Sequence, residues 1–161
     1  MKRKSYLPIT QAALIAALYV ALTFVANFFG LSSGAIQLRL SEALTILPFF
    51  TKSAVPGLFV GCIIANLLTG CAIWDIIFGS IATLLGAIFT YLLRKHKFLA
   101  PIPPIIANTL IVPFVIAFVY GSEHSIPFLM VTVGIGEILS CGVLGMALLF
   151  ALYKHKERIF K

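Results

Sequence analysis

The sequence predicts an all-α integral membrane protein, a six-transmembrane-helix bundle with both termini cytoplasmic, and three observations carry that prediction. Of the 161 residues, 61% are hydrophobic and only 11% charged, with a mean hydropathy of +1.09. A soluble domain of this size would have too little polar surface to cover itself. The apolar runs succeed one another with no polar insertion, which makes residues 1–161 a single domain. The bases gather in tails and short turns: Lys2, Arg3 and Lys4, then Lys52, then Arg94, Lys95 and Lys97, and finally Lys154, Lys156, Arg158 and Lys161. In a soluble protein a net charge of +7 would suggest nucleic acid. Bases confined to the ends of apolar runs instead mark topology in a lipid bilayer, and nucleic acid is excluded as a partner.

The first span covers residues 9–30 and comes after the basic tail. It lacks a small-residue cleavage site and is long enough to cross, so it reads as a helix of the bundle and not as a cleaved signal. Its alanines, Ala12, Ala13, Ala16, Ala17 and Ala21, fall on one side of a helix, with pairs four residues apart. Small residues at that spacing let another backbone approach closely, which replaces the missing hydrophobic drive in lipid. Internal packing and docking of a partner protein both use such a face.

A turn, LSSGA (residues 31–35), leads to the stretch IQLRLSEALTILPFF (residues 36–50). As an α-helix this second span is about 22 Å long, shorter than the hydrocarbon thickness. The third, residues 57–70, is also short and contains Asn66. The fourth runs over residues 74–93, entering with Trp74 and Asp75 and leaving at the basic cluster. The fifth, residues 101–120, holds Asn108 and begins with prolines, where missing amides are tolerated. The sixth, residues 127–153, carries Glu137 among several glycines. Six spans place every basic cluster on the inner side; four would strand Lys52 or the cluster at 94–97.

The remaining charges make the functional argument. Glu42, Asp75, Glu123 and Glu137 lie in the spans or on the outer side, accompanied by one base, Arg39. Ionisable groups in a membrane are expensive, so they face a cavity or the bundle interior and find partners. A cavity with surplus negative charge and two amides, Asn66 and Asn108, suits a cationic ligand rich in donors. Each residue also has a plain structural role open to it. Arg39 and Glu42 can pair along one helix, Glu137 can be a neutral interhelical hydrogen-bonder, and Asp75 can cap a helix. The asparagines can join helices, and Trp74 and Tyr120 can sit at the membrane interface. Cys62, Cys71 and Cys141 fit no metal-ligand spacing and read as small apolar fillers, so no metal site is predicted.

The segments IQLRLSEALTILPFF, VPGLFVGCIIANLLTG (residues 55–70), WDIIFGSIATLLGA (residues 74–87), PPIIAN (residues 103–108) and GIGEILSCGVLG (residues 134–145) resemble the QueT family. These queuosine-precursor transporters are substrate-binding S components of energy-coupling factor (ECF) transporters. The resemblance implies a six-helix S-component bundle in the cell membrane that binds its solute near the outer face. It implies docking on a transmembrane T component through the alanine stripe of the first helix, and energising by two ABC-type ATPases. The chain has no G-x-x-x-x-G-K-[ST] motif, so ATP hydrolysis is assigned to those partners and no cofactor or enzyme activity to this chain.

The implied cargo is a 7-deazaguanine, either the aminomethyl pre-queuosine base or queuine. Under that resemblance Glu137 reads the guanine edge, Asp75 or Glu42 meets the ammonium, and Asn108 and Asn66 bond the carbonyl and ring nitrogens. Trp74 or Phe78 stacks on the ring, and Arg39 either holds Glu42 ionised or donates to the carbonyl oxygen. A small carrier for another cationic heterocycle, an intramembrane acid–base enzyme and a purely structural subunit are the rival readings.

Overall fold

The structure, a computed structural model, describes residues 6–32 and 36–159. Lys2, Arg3, Lys4 and Lys161 of the basic flanks, and residues 33–35 of the first turn, lie outside them. Among the described residues all regular structure is helical. Four helical stretches are long and apolar enough to cross a membrane: Leu7–Phe28, Ile73–Leu92, Lys97–Val119 and Ile126–Tyr153. Two shorter apolar helices, Leu40–Phe49 and Ala54–Leu68, complete the bundle. The chain is a multi-pass membrane protein.

We label α1 Leu7–Phe28, α2 Ala54–Leu68, α3 Ile73–Leu92, α4 Ile102–Val119, α5 Ile126–Glu137 and α6 Gly145–Tyr153; a short α7, Lys156–Ile159, lies after them. Consecutive helices α1 to α4 pack side by side, and α5 packs on α4. Close approach is built into the sequence. A Cβ at Gly57 would meet the Ala12 carbonyl at 2.7 Å, one at Gly61 the Ala16 Cα at 3.0 Å, and one at Gly86 the Pro104 Cα at 2.7 Å. With no methyl in the way, α1 meets α2, and α3 meets α4, backbone against backbone.

The element at the centre is Leu40–Phe49, which touches α1, α2, α3 and α6. Here the structure departs from expectation: the segment is a 3-10 helix of ten residues, where the sequence predicts an α-helix over 36–50. A 3-10 helix rises about 2.0 Å per residue and is thinner than an α-helix, so ten residues reach about 20 Å in a narrow slot. Residues 41–48 are all buried, whichever way they point. Residues 37–39 are not helical at all; Arg39 has φ −96° and ψ 93°. Arg39 and Glu42 therefore do not share a helix face.

The last long span also differs from a regular rod. Between α5 and α6, residues Ile138–Leu144 form a π-helix, directly after Glu137. The wider turn rotates α6 relative to α5, and such segments recur at functional sites. Outward positions form an apolar belt, with Leu14, Leu18, Phe24, Leu67, Phe89, Phe118 and Val143 exposed. In a bilayer that belt faces lipid tails.

Candidate functional site

At one end of the bundle, opposite the turns that carry Lys52 and Arg94, a half-open cavity of about 360 Å³ is lined mainly by residues with polar side chains. Its walls come from the C-terminal halves of α1, α2 and α4, the N-terminal turn of α3, the extended strap at residues 37–39 and Ser41 of the 3-10 helix. Two glycines shape its rim. Gly30 (φ 68°) and Gly70 (φ 73°) take left-handed backbone directly after α1 and α2. Leu31 N–H then bonds the Ala26 carbonyl at 2.9 Å, and Cys71 N–H the Asn66 carbonyl at 3.0 Å. These closures turn the chain sharply and use carbonyls that a helix end would leave unpaired.

α1 lines the cavity with Tyr19, Thr23 and Asn27, four residues apart and so on one helix face. Arg39 and Asp75 stand on the same cavity, and among the described residues Arg39 makes no ion pair within 4.0 Å. The acid whose field acts on it most is Asp75, ahead of Glu137 and Glu42. The pocket therefore presents one cation and one anion that do not neutralise each other by contact. Asn66 adds an amide close to Asp75: a Cβ at Gly79 would lie 3.3 Å from Asn66 Nδ2 and 3.5 Å from Asp75 Oδ1.

Asp75 is held from the far wall. It sits in the first turn of α3, whose N-cap is Ala72, so it does not cap that helix. The Tyr120 hydroxyl donates to Asp75 Oδ2 at 3.0 Å and accepts the Ala72 N–H at 3.2 Å. Burial first, and then the Asp75 charge, push the Tyr120 hydroxyl up to about 12. It therefore keeps its proton at neutral pH and stays a donor.

Beneath the cavity lies a closed polar floor. Glu42 is fully buried and accepts from the Tyr19 hydroxyl, from Thr83 Oγ1 at 3.4 Å and from Asn108 Nδ2 at 3.4 Å. Glu137, also buried, accepts from Cys141 Sγ at 3.2 Å. Glu42, Glu137 and Cys141 bring potential metal-ligand atoms within 4.8 Å of one another. Glu137 and Cys141 stand one helical turn apart in sequence, and the fold brings Glu42 to them. Its donors and acceptors are already engaged with Tyr19, Thr83, Asn108 and one another, and it works as a hydrogen-bonded floor.

The sequence-predicted residues thus fall into three groups. Arg39, Asp75 and Asn66 line the cavity. Glu42, Glu137 and Asn108 form the floor beneath it and are not part of its lining. Trp74 and Phe78 lie elsewhere: their rings stack on each other, centroids 6.1 Å apart, in an apolar groove shared with Leu110 and Phe114 of α4. They stand at −1 and +3 from Asp75 in sequence, and the helix turns them outward. The aromatic walls of the cavity are Tyr19 and Tyr120. Tyr19 is not among the sequence-predicted residues, although the run Tyr19, Thr23, Asn27 is a polar stripe that periodicity can show. Gln37, Ser41 and Cys71 are likewise absent from that set; nothing local distinguishes them.

The alanine stripe divides. Ala16 is buried and Ala12 half-buried against α2, whereas Ala13, Ala17 and Ala21 are exposed.

Comparison with known proteins bears on this architecture. The family model described as "QueT transporter" matches residues 9–154. A protein of Lactococcus lactis subsp. cremoris (strain MG1363), "Queuosine precursor transporter QueT", is 38% identical over 84 residues, which are 52% of this chain and 49% of that protein. The match spans about half the length of that relative. No solved structure matches the chain.

Proposed function

The chain belongs to the QueT transporter family, and from that premise we propose that it is the substrate-binding S component of an ECF-type importer. Its cargo in this reading is a queuosine precursor, a 7-deazaguanine such as the aminomethyl base or queuine, captured at the outer face of the plasma membrane. The observation that carries the reading is the pair Arg39 and Asp75 on one cavity without an ion pair between them. A deazaguanine offers what each lacks: a carbonyl oxygen for the guanidinium, and adjacent N–H donors or an ammonium for the carboxylate.

In this reading Asp75, held by Tyr120, takes the donor edge or the aminomethyl group. Arg39 donates to the carbonyl oxygen, and Asn66, Asn27 and Gln37 supply the remaining polar contacts. Tyr19 and Tyr120 provide the aromatic faces. Glu42, Glu137 and Asn108 form the floor, and Glu42 holds Tyr19 in place. A cavity of about 360 Å³ is in the range of small-ligand sites.

The remaining parts rest on the same premise. All six apolar helices are membrane-embedded, with the basic turns and both termini on the cytoplasmic side. The exposed Ala13, Ala17 and Ala21 form the face that docks the T component, and two partner ATPases drive release inward. The test is direct. The detergent-purified full chain should bind mass-labelled aminomethyl deazaguanine, and cells supplying a T component and ATPases should take it up. Absence of both binding and uptake would remove the reading. Binding of a different cationic heterocycle in place of the deazaguanine would leave the S-component role and replace the cargo.

A further inference from the structure

At the opposite end of the bundle from the cavity, two lysines from distant parts of the chain meet on one aromatic ring. The Lys97 ammonium lies 3.5 Å from the centroid of Tyr153, and the Lys156 ammonium 4.6 Å from the same centroid. Lys97 begins the short turn before α4, and Lys156 begins α7. The fold alone brings them together. Among the described residues neither makes an ion pair within 4.0 Å. Two like charges gathered on one ring repel each other, and the ring quadrupole offsets only part of that. An anion between them would remove the conflict.

The surroundings say what kind of anion. The Tyr153 ring packs beside Phe49, centroids 6.4 Å apart. On the same end Phe98 and Phe150 meet edge to face at 6.3 Å, and both are exposed, Phe98 by 74%. The lysines thus sit where the apolar belt stops and the basic turns begin, which is the depth of the lipid phosphates. Apolar rings below and paired ammonium groups above match a molecule with acyl chains and an anionic head.

We propose that Lys97, Lys156 and Tyr153 form a headgroup site for an anionic phospholipid, whose chains run along Phe98 and Phe150. A free phosphate ester shares the head chemistry but leaves the exposed rings without a partner.

The site is independent of the cargo and of the importer reading. Its test is native mass spectrometry of the full chain in detergent with equal amounts of dioleoylphosphatidylglycerol and dioleoylphosphatidylcholine. The wild-type protein should retain the phosphatidylglycerol in excess. Lys97→Gln and Lys156→Gln should each lower that excess roughly fivefold, as expected for one interfacial lysine. Lys95→Gln, the same charge change in the same turn, should leave it unaltered, and Lys97→Arg with Lys156→Arg should keep it. An unchanged excess in Lys97→Gln, an equal loss in Lys95→Gln, or a loss in the double arginine variant would each overturn the site. Displacement of the lipid by an equal concentration of soluble glycerol 3-phosphate would overturn its assignment to a lipid.

Discussion

Gly136 lies so close under the Gln37 carbonyl that a Cβ on it would stand 2.2 Å from that oxygen. The contact joins α5, next to Glu137, to the extended strap that presents Arg39. It explains why the strap can cross the bundle before the 3-10 helix begins, and it makes the Arg39 position depend on a hydrogen atom about a hundred residues away in sequence.

Gly136→Ala is therefore expected to push the strap outward. The variant should lose about 1–3 kcal/mol of stability by overpacking. Its ligand affinity should fall further than that of a variant at exposed Gly121, where a Cβ meets nothing within 4 Å and only the left-handed backbone is strained. Thermal unfolding and ligand titration on the two proteins check this.

Tyr19→Phe removes the phenolic donor to buried Glu42 while keeping the ring. With the carboxylate under-satisfied, a loss of about 1–3 kcal/mol in stability is expected. Tyr19→Phe should be more harmful than Thr23→Val, which removes a cavity hydroxyl that donates to its own helix at the Tyr19 carbonyl, 2.9 Å away. Chemical denaturation of both variants in the same detergent measures the difference.

Asp75→Asn and Arg39→Gln should each weaken deazaguanine binding by roughly tenfold to a hundredfold, the scale of one charge-assisted hydrogen bond. Trp74→Leu and Phe78→Leu should leave it near wild type, because their rings face the outer groove. Equal losses in both sets would mean that the ligand sits in the apolar groove.

Tyr120→Phe frees Asp75 from its holder, and a smaller loss of affinity is expected than for Asp75→Asn. The Tyr120 hydroxyl is raised to about 12, so it remains protonated well below that value. Its share of binding and stability is complete below the ordinary tyrosine range and is lost only as pH rises toward 12. The wild-type to Tyr120→Phe affinity ratio should be constant from about pH 7 to 9, which isothermal titration across that range reads directly.

Within the alanine stripe the two faces should separate. Ala16→Leu forces a side chain into the α2 backbone at Gly61 and should destabilise the fold. Ala13→Leu with Ala17→Leu alters only exposed positions; it should bind ligand normally and abolish uptake. Uptake that survives the double change would overturn the docking face proposed on α1.

What the sequence by itself determined is the membrane character, the helical class and the turns at Lys52 and at residues 94–97. Those come from hydropathy and the position of Lys52, the cluster at 94–97 and the C-terminal bases, which are local properties. It also singled out Arg39, Asp75 and Asn66, because an ionisable or amide group in an apolar run needs a polar destination wherever the run goes. Tertiary structure decided which destination. Whether a buried carboxylate faces the cavity or the floor depends on helix rotation and on partners far away in sequence, as Glu42 with Tyr19 and Asn108 shows. The 3-10 helix at Leu40–Phe49 was likewise beyond local reach, since its narrow form answers to the space left by the neighbouring helices and not to its own residues. Trp74 and Phe78 went outward for the same reason: once Asp75 is held by Tyr120, the 100° step of the helix fixes where its neighbours point.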